Sequence, residues 1–335
     1  MSSPLPNRPV RVLSSVSARA RTSGYVVPLE ESYPKGVTAL SFSWPRAIFG
    51  RYDVFHVHWP EYLLRHPRPA IAAAKRVLLE ALLLRLRLLR VPIVRTMHNV
   101  AAHDEGNSRE RGPLARLDSY TAFSIVLNES TPIRDGQPSQ LIPHGHYVHL
   151  DVDRPREAAE AGRILYFGLI KPYKAVDTLI DAFMHLDDDA LTLRLVGSPS
   201  TRSLREMIEQ AVQSDPRISA HLAYVDDDQL SHEIARAELA VLPYREMHNS
   251  GAVLRALSLG RPVLVPESAP NTALSAEVGP GWVVTYRGAL NGDVLRQALE
   301  SARLTPDLPP VLDARDWSRI GVQHYEVFRR ALSAR

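Results

Sequence analysis

The chain has 335 residues, 45% of them hydrophobic, enough for roughly two domains with sizeable cores. It contains no cysteine, which excludes disulfides and thiolate metal sites, and its net charge of +3 offers no argument for a nucleic-acid partner. No early stretch joins a basic start, an apolar run and a small-residue cleavage site, so no signal peptide is expected and a cytoplasmic location is.

Taken in order, β-branched runs at 10–14, 37–41, 54–58, 93–98 and 122–127 predict strands. Between the third and fourth lies "AIAAAKRVLLEALLLRLRLLRVP", a Leu-rich segment with five basic residues and a single glutamate. Its charges interrupt it too often for a membrane span. Two readings stay open for the 70–90 helix: a core-packed helix with solvated arginines, or a helix resting on an anionic membrane surface. At 151–161 the composition turns charged and loop-like, and the domain boundary is expected there. Strand and helix patterns then alternate again: strands at 162–170, 191–199, 218–225, 239–244 and 261–267, helices at 175–186, 201–214 and 226–237, and an amphipathic helix at 316–332. Near-continuous apolar strands alternating with helices predict two parallel α/β sheets, with ligands beyond the carboxyl ends of the strands.

Five polar clusters fall at such strand ends. In "YFGLIKPYKAVDTLIDAF" a strand closes at Gly168, and Lys171 and Lys174 precede a helix, a pattern suited to an anion such as phosphate. In "LPYREMHNSGAVLRALSLGRPVLVP", Asn249 and Ser250 are good helix caps. The N–H groups of Ser250, Gly251 and Ala252 offer a second anion site. Two anion sites in one α/β unit suggest the diphosphate of a nucleotide sugar. In "DVFHVHWPEY" the alternating His56 and His58 are expected on opposite faces, with His58, Trp59 and Glu61 at the strand's carboxyl end. A histidine there suits proton transfer near neutral pH, and Trp59 offers a flat face to a sugar. "RTMHNVAAHDE" ends a strand with His98, Asn99, His103 and Asp104, and "LIPHGHY" carries His144. The histidine spacings match no metal motif, and neither G-x-G-x-x-G, a P-loop nor G-x-S-x-G is present.

These stretches together resemble a GT-B glycosyltransferase over nearly the whole chain, closest in pattern to glycosyltransferase group four and its relatives in bacterial exopolysaccharide and glycolipid assembly. "TMHNV", "LIPHG", "FGLIKPYKAVDTLIDAF", "LPYREMHNSGAVLRALSLGRPVLVP" and "DWSRIGVQHYEVFRRAL" carry the resemblance. It implies two Rossmann-like parallel-sheet domains facing across a cleft: an acceptor domain at 1–152, a nucleotide-sugar domain at 160–315, and a closing helix at 316–335 that packs on the first. It implies a nucleotide-sugar donor, a saccharide or glycolipid acceptor, and no metal or other cofactor. Lys174 becomes a diphosphate ligand, with Lys171 compensating for Leu169 where the group usually has arginine. His98 comes to lie by the transferred sugar, Ser250 and Gly251 by the phosphate, and Trp59, Asn99 and His144 on the acceptor side. The group's two glutamates are missing. Arg255 stands where the ribose-binding one belongs, and Met247, with Glu246 before it, at the other, so both are read on the donor side. That departure resembles, more softly, β-mannosyltransferases that use GDP-mannose. For an inverting reaction His58 is the favoured base, with Glu61 and Asp104 as rivals. Retention needs no such base and makes His98 the main sugar contact. A related epimerase or phosphorylase and a non-catalytic sugar clamp remain alternatives, and attachment to the inner face of the plasma membrane rests on the 70–90 helix.

Overall fold

The computed structural model describes residues 8–18, 24–98, 108–151, 157–245, 247, 249, 251–305 and 308–334. The chain forms two compact units. Unit 1 takes Met1–Gly145 and Ala314–Arg335, and unit 2 takes His146–Asp313. The division comes earlier than the charged stretch at 151–161. The reason is local bonding: the Tyr147 N–H donates to Ser258 Oγ at 2.8 Å and Asp151 pairs with Arg255, which fastens 147–151 to unit 2.

Unit 1 is a six-stranded parallel sheet of β1 (Val10–Ser17), β2 (Val37–Phe42), β3 (Val54–Val57), β4 (Ile93–Met97), β5 (Thr121–Val126) and β6 (Ser139–Leu141), in the order β2-β1-β3-β4-β5-β6. Alternation along the strands divides the core between the two faces. Phe55 and Val57 pack with Leu79, Leu82, Leu83 and Leu86 of the helix Pro69–Leu88. Val54, Val94 and Ile125 face the other way, onto Trp317, Ile320, Val327 and Phe328 of the closing helix Trp317–Ser333. That helix lies so close to the turn after Glu31 that a Cβ on Gly321 would sit 2.1 Å from the Ser32 carbonyl oxygen.

Unit 2 repeats the plan with β7 (Arg163–Phe167), β8 (Thr192–Val196), β9 (Ile218–His221), β10 (Leu239–Val241), β11 (Val263–Pro266) and β12 (Val283–Tyr286), ordered β12-β11-β10-β7-β8-β9. β6 and β12 are additions to the predicted strands. Side chains of Thr201, Asp226, Ser268 and Asn291 accept the N–H three residues on and start four of its helices. In each sheet the chain builds outward on one side and then returns to the other. The reversal falls between β1 and β3 in unit 1 and between β7 and β10 in unit 2, where parallel sheets open a crevice at the carboxyl edge.

Candidate active site

At the unit 2 reversal, β7 runs into Gly168 (φ +100°) and the exposed Leu169. Gly197, at the end of β8, must be glycine: a Cβ there would lie 1.9 Å from the Gly168 carbonyl oxygen. The chain then passes Lys171 and a 3-10 turn, Pro172–Lys174, into the helix Val176–Met184. The predicted lysine loop meets the segment after β10 directly. The Arg245 N–H donates to the Tyr173 carbonyl at 2.8 Å, and its guanidinium pairs with Asp177 at 2.9 Å. Lys174 Nζ lies 4.6 Å from the centre of the Tyr244 ring, a cation–π contact. Burial, with Lys171 adding repulsion, pushes the Lys174 ammonium down to about 8. An arriving polyanion relieves both penalties. The next helix, Gly251–Ser258, opens beyond β10 on the same edge, with Asn249 before it and Gly251 and Ala252 in its first turn. Glu246 and Ser250 lie outside the described residues.

Arg255 is not an open donor ligand. It is 4% exposed. Its guanidinium donates to the Asp151 carboxylate, to Ser231 Oγ and, at 3.4 Å, to the Tyr147 carbonyl, and it lies 5.9 Å from the Tyr147 ring centre. The reason is rotation: one turn into the helix, position 255 faces inward among Val253, Leu254, Ala256 and Leu257, where only a buried counter-charge makes an arginine tolerable. Removing one partner strands the other. Asp151→Asn is therefore expected to lower unfolding stability by about 3 kcal/mol, read as a lower urea midpoint with an unchanged slope.

At the unit 1 reversal, His58 and Trp59 follow β3 and His98 follows β4. His56 and His58 do not face opposite sides. Their rings are 4.1 Å apart, because residues two apart on a strand share a face. His58 Nδ1 and His98 Nε2 are 3.0 Å apart and share one hydrogen. Trp59, itself left-handed at φ 41°, stacks on His98 at 4.0 Å. Left-handed backbone at a non-glycine residue is strained, and Ala175 (φ 51°) beside Lys174 is a second case at the corresponding edge of unit 2. Tyr25 presses its edge on His58, His98 and His144, and His144 Nδ1–H donates to the Gly145 carbonyl at 2.8 Å. Beneath lie His56, 2.8 Å from Thr96 Oγ1, and His324 of the closing helix. His324 Nδ1–H donates to the Ile320 carbonyl, so its Nε2 accepts from the Tyr25 hydroxyl.

This burial keeps the cluster neutral. Desolvation pushes His58 down to about 3, and His144 and His324 down to about 4; it holds His56 and His98 well below the usual range, with neighbouring histidines adding to the effect. A ring so reluctant to hold a proton, and 2% exposed, is poorly matched to deprotonating a hydroxyl. Glu61 differs. It is partly exposed in the turn Pro60–Leu63 and near enough to Arg95 to favour that guanidinium's charge. Asn99, His103 and Asp104 lie outside the described residues. Among the described residues no three His, Asp or Glu are arranged to hold a metal ion. Tyr25, Tyr244 and His324 pack against these candidate residues, and sequence reasoning missed them. His324 was findable, since Ile320, His324 and Phe328 share one face of an amphipathic helix.

The family described as Glycosyl transferases group 1 matches residues 161–295, within unit 2. Two curated proteins of Xanthomonas campestris, each called a GDP-mannose:glycolipid 4-beta-D-mannosyltransferase, are 43% identical over 322 residues, covering 96% of this chain and 92% of theirs. The chain belongs to their glycosyltransferase family. The transferase is a hexosyltransferase and shares its two-sheet GT-B fold with solved structures of low identity. Anabaena HepE in complex with UDP superposes with a TM-score of 0.67 at 14% identity, over 96% of this chain and 100% of that one. A sucrose-phosphate synthase of Thermosynechococcus elongatus does so at 0.64 and 16%, over 98% and 100%.

Proposed function

We propose that the transferase moves mannose from GDP-mannose to a hydroxyl of a glycolipid, forming a β-linkage. The observation that carries this reading is the meeting of Lys174 with Tyr244 at the unit 2 reversal, where the loops after β7 and β10 present two lysines and a helix start to one diphosphate. The mannose and glycolipid assignments rest on the likeness to the Xanthomonas proteins. Lys171, Lys174 and the N–H groups around Gly251 stabilise the leaving diphosphate, and no metal is needed for that charge. The ribose is held without the family's glutamate. Unit 1 supplies the acceptor side: Trp59 and His144 line it, and neutral His98 offers a hydrogen bond to the sugar.

A β-product from an α-linked donor requires inversion, hence one base for the acceptor hydroxyl. We assign it to Glu61. Glu61→Gln is expected to lower kcat about a thousandfold while GDP affinity stays within a few-fold. An active Glu61→Gln enzyme would sink the assignment and return His58 to first place. For the whole reading, GDP is expected to raise Tm more than UDP, and GDP-mannose to release GDP only with a lipid-linked saccharide. No GDP release with any such acceptor would overturn it.

No helix among the described residues is long and apolar enough to cross a membrane. The helix Pro69–Leu88 instead carries a second apolar stripe opposite its buried leucines. Ala70, Ala74, Val77, Ala81, Leu84 and Leu88, spaced by fours and threes, are all exposed, Val77 at 69%, Leu84 at 58% and Leu88 at 72%. Arg76 and Arg87 flank it on the helix surface. This amphipathic face seats the transferase on the anionic cytoplasmic leaflet, where its acceptor resides.

A further inference from the structure

The histidine cluster of unit 1 holds a hydrogen bond that neither the donor site nor the base employs. His58 and His98 are both buried, and desolvation keeps both neutral. A neutral imidazole carries one ring hydrogen, so one of its nitrogens donates and the other accepts. His58 Nδ1 and His98 Nε2 lie 3.0 Å apart, and one hydrogen lies between them. The tautomers of the two rings are therefore locked in step. With the hydrogen on His58 Nδ1, His98 Nε2 accepts and His98 carries its own hydrogen on Nδ1. With the hydrogen on His98 Nε2, His98 Nδ1 has none and His58 carries its own on Nε2.

The same bond fixes which way the His98 ring is turned. Trp59 stacks on its face at 4.0 Å, and Tyr25 meets it edge-on at 4.8 Å. These contacts scarcely distinguish a half-turn of the ring, which exchanges Nε2 with a carbon. The bond to His58 does distinguish it. His58 is itself held in place. Its N–H donates to Ser15 Oγ and its carbonyl accepts from the same hydroxyl, both at 2.8 Å, which ties it to β1.

We propose that His58 is a positioning residue: it donates from Nδ1 to His98 Nε2 and so holds His98 in the Nδ1–H tautomer, the form that can donate to the transferred sugar. The inference rests on the reading above that His98 hydrogen-bonds the sugar, and adds the group that makes it a donor. With Nε2 engaged, Nδ1 is the only ring nitrogen of His98 left to donate. His58 acts through His98 and exchanges no proton with the substrate.

Asparagine and glutamine at position 58 separate this role from others, because the asparagine amide falls where Nδ1 lies and the glutamine amide where Nε2 lies. Ring-nitrogen spectra are taken on the full chain labelled with 15N-histidine, with the His98 signals assigned by their loss in His98→Gln. His98 is expected in the Nδ1–H form in the parent chain and in His58→Asn, and as a mixture of tautomers in His58→Gln. For mannose transfer from GDP-mannose to a lipid-linked saccharide, His58→Asn should keep kcat within about fivefold of the parent, and His58→Gln should lose about a hundredfold, with GDP affinity alike in both. An Nε2–H His98 in the parent chain overturns the proposal, and that measurement needs no variant to fold. A glutamine variant as active as the asparagine one, or two equally inactive variants, also overturns it, since His58 would then work through Nε2 or through its own proton. A parent chain that transfers no sugar ends the catalytic reading, while an Nδ1–H His98 that is lost in His58→Gln keeps the lock.

Discussion

Lys174→Ala is expected to weaken GDP binding by about a hundredfold while shifting Tm by no more than about two degrees. The ammonium is buried enough to be pushed down to about 8, and in the free protein its neighbours are Lys171 and the Tyr244 ring rather than a carboxylate. Its removal strands no counter-ion, so stability has little to lose. A diphosphate supplies the missing charge and restores the ammonium toward its ordinary value. Binding therefore takes up a proton above pH 8. GDP affinity should be level up to about pH 8 and then fall, by at most about tenfold per pH unit. Lys174→Arg should bind with that decline abolished, because a guanidinium stays charged. Calorimetric titration across pH 7 to 9 in steps reads both effects, with the interval chosen about the shifted value. Equal losses of Tm and affinity in the alanine variant would mean that the residue is structural.

The second large effect is acid lability of unit 1. In the folded chain His58 is pushed down to about 3, and His144 and His324 to about 4; unfolded, each returns to about 6.5. Between these values the unfolded chain binds more protons, so stability rises with pH. The contribution is fully present above about 6.5 and is lost as pH falls toward 4. At pH 5 each of the three has lost roughly 2 kcal/mol relative to neutral pH, together a sizeable part of a domain's stability. His56 and His98 act in the same direction. Trp44, Trp59 and Trp317, three of the chain's four tryptophans, belong to unit 1, so fluorescence during urea unfolding follows it. The midpoint is expected to fall steadily from pH 7 to 5, and His324→Leu should flatten that slope by about one proton. A midpoint independent of pH would show that these rings titrate normally.

These two effects separate the donor side from the histidine cluster by experiment. Loss of Lys174 touches nucleotide affinity without stability. Acid touches the stability of unit 1 without any mutation. Asp151→Asn forms a third class, in which a buried counter-ion in unit 2 is lost and stability falls for electrostatic reasons. Arg255 belongs to that class, although its position in the chain pointed to the donor.

Much was legible from local chemistry. The alternation of apolar strands with helices required parallel sheets covered on both faces, and the strand–Lys–helix and strand–Asn-Ser-Gly–helix patterns marked the loops after β7 and β10, which meet where the Arg245 N–H bonds the Tyr173 carbonyl. Helices starting at Thr201 and Asp226 were legible too, where capping side chains begin them. These are short-range effects, settled within a few residues. β6 and β12 were not predicted: β6 reads SQL, with no buried apolar run to mark it, and both are edge strands, each defined by the one neighbour that it pairs with. What only the tertiary structure decided were the environments of charged and titratable groups. "LRALSLG" says that Arg255 lies one turn into a helix. It does not say that Asp151, 104 residues away in sequence, waits at that face. "HVHW" places two histidines on a strand, but the chain itself does not tell that His98, His324 and Tyr25 close over them and drive off their protons. Solvation and counter-charge depend on residues brought together from distant parts of the chain, and burial there turned an expected donor ligand into a structural ion pair and an expected base into a neutral core residue.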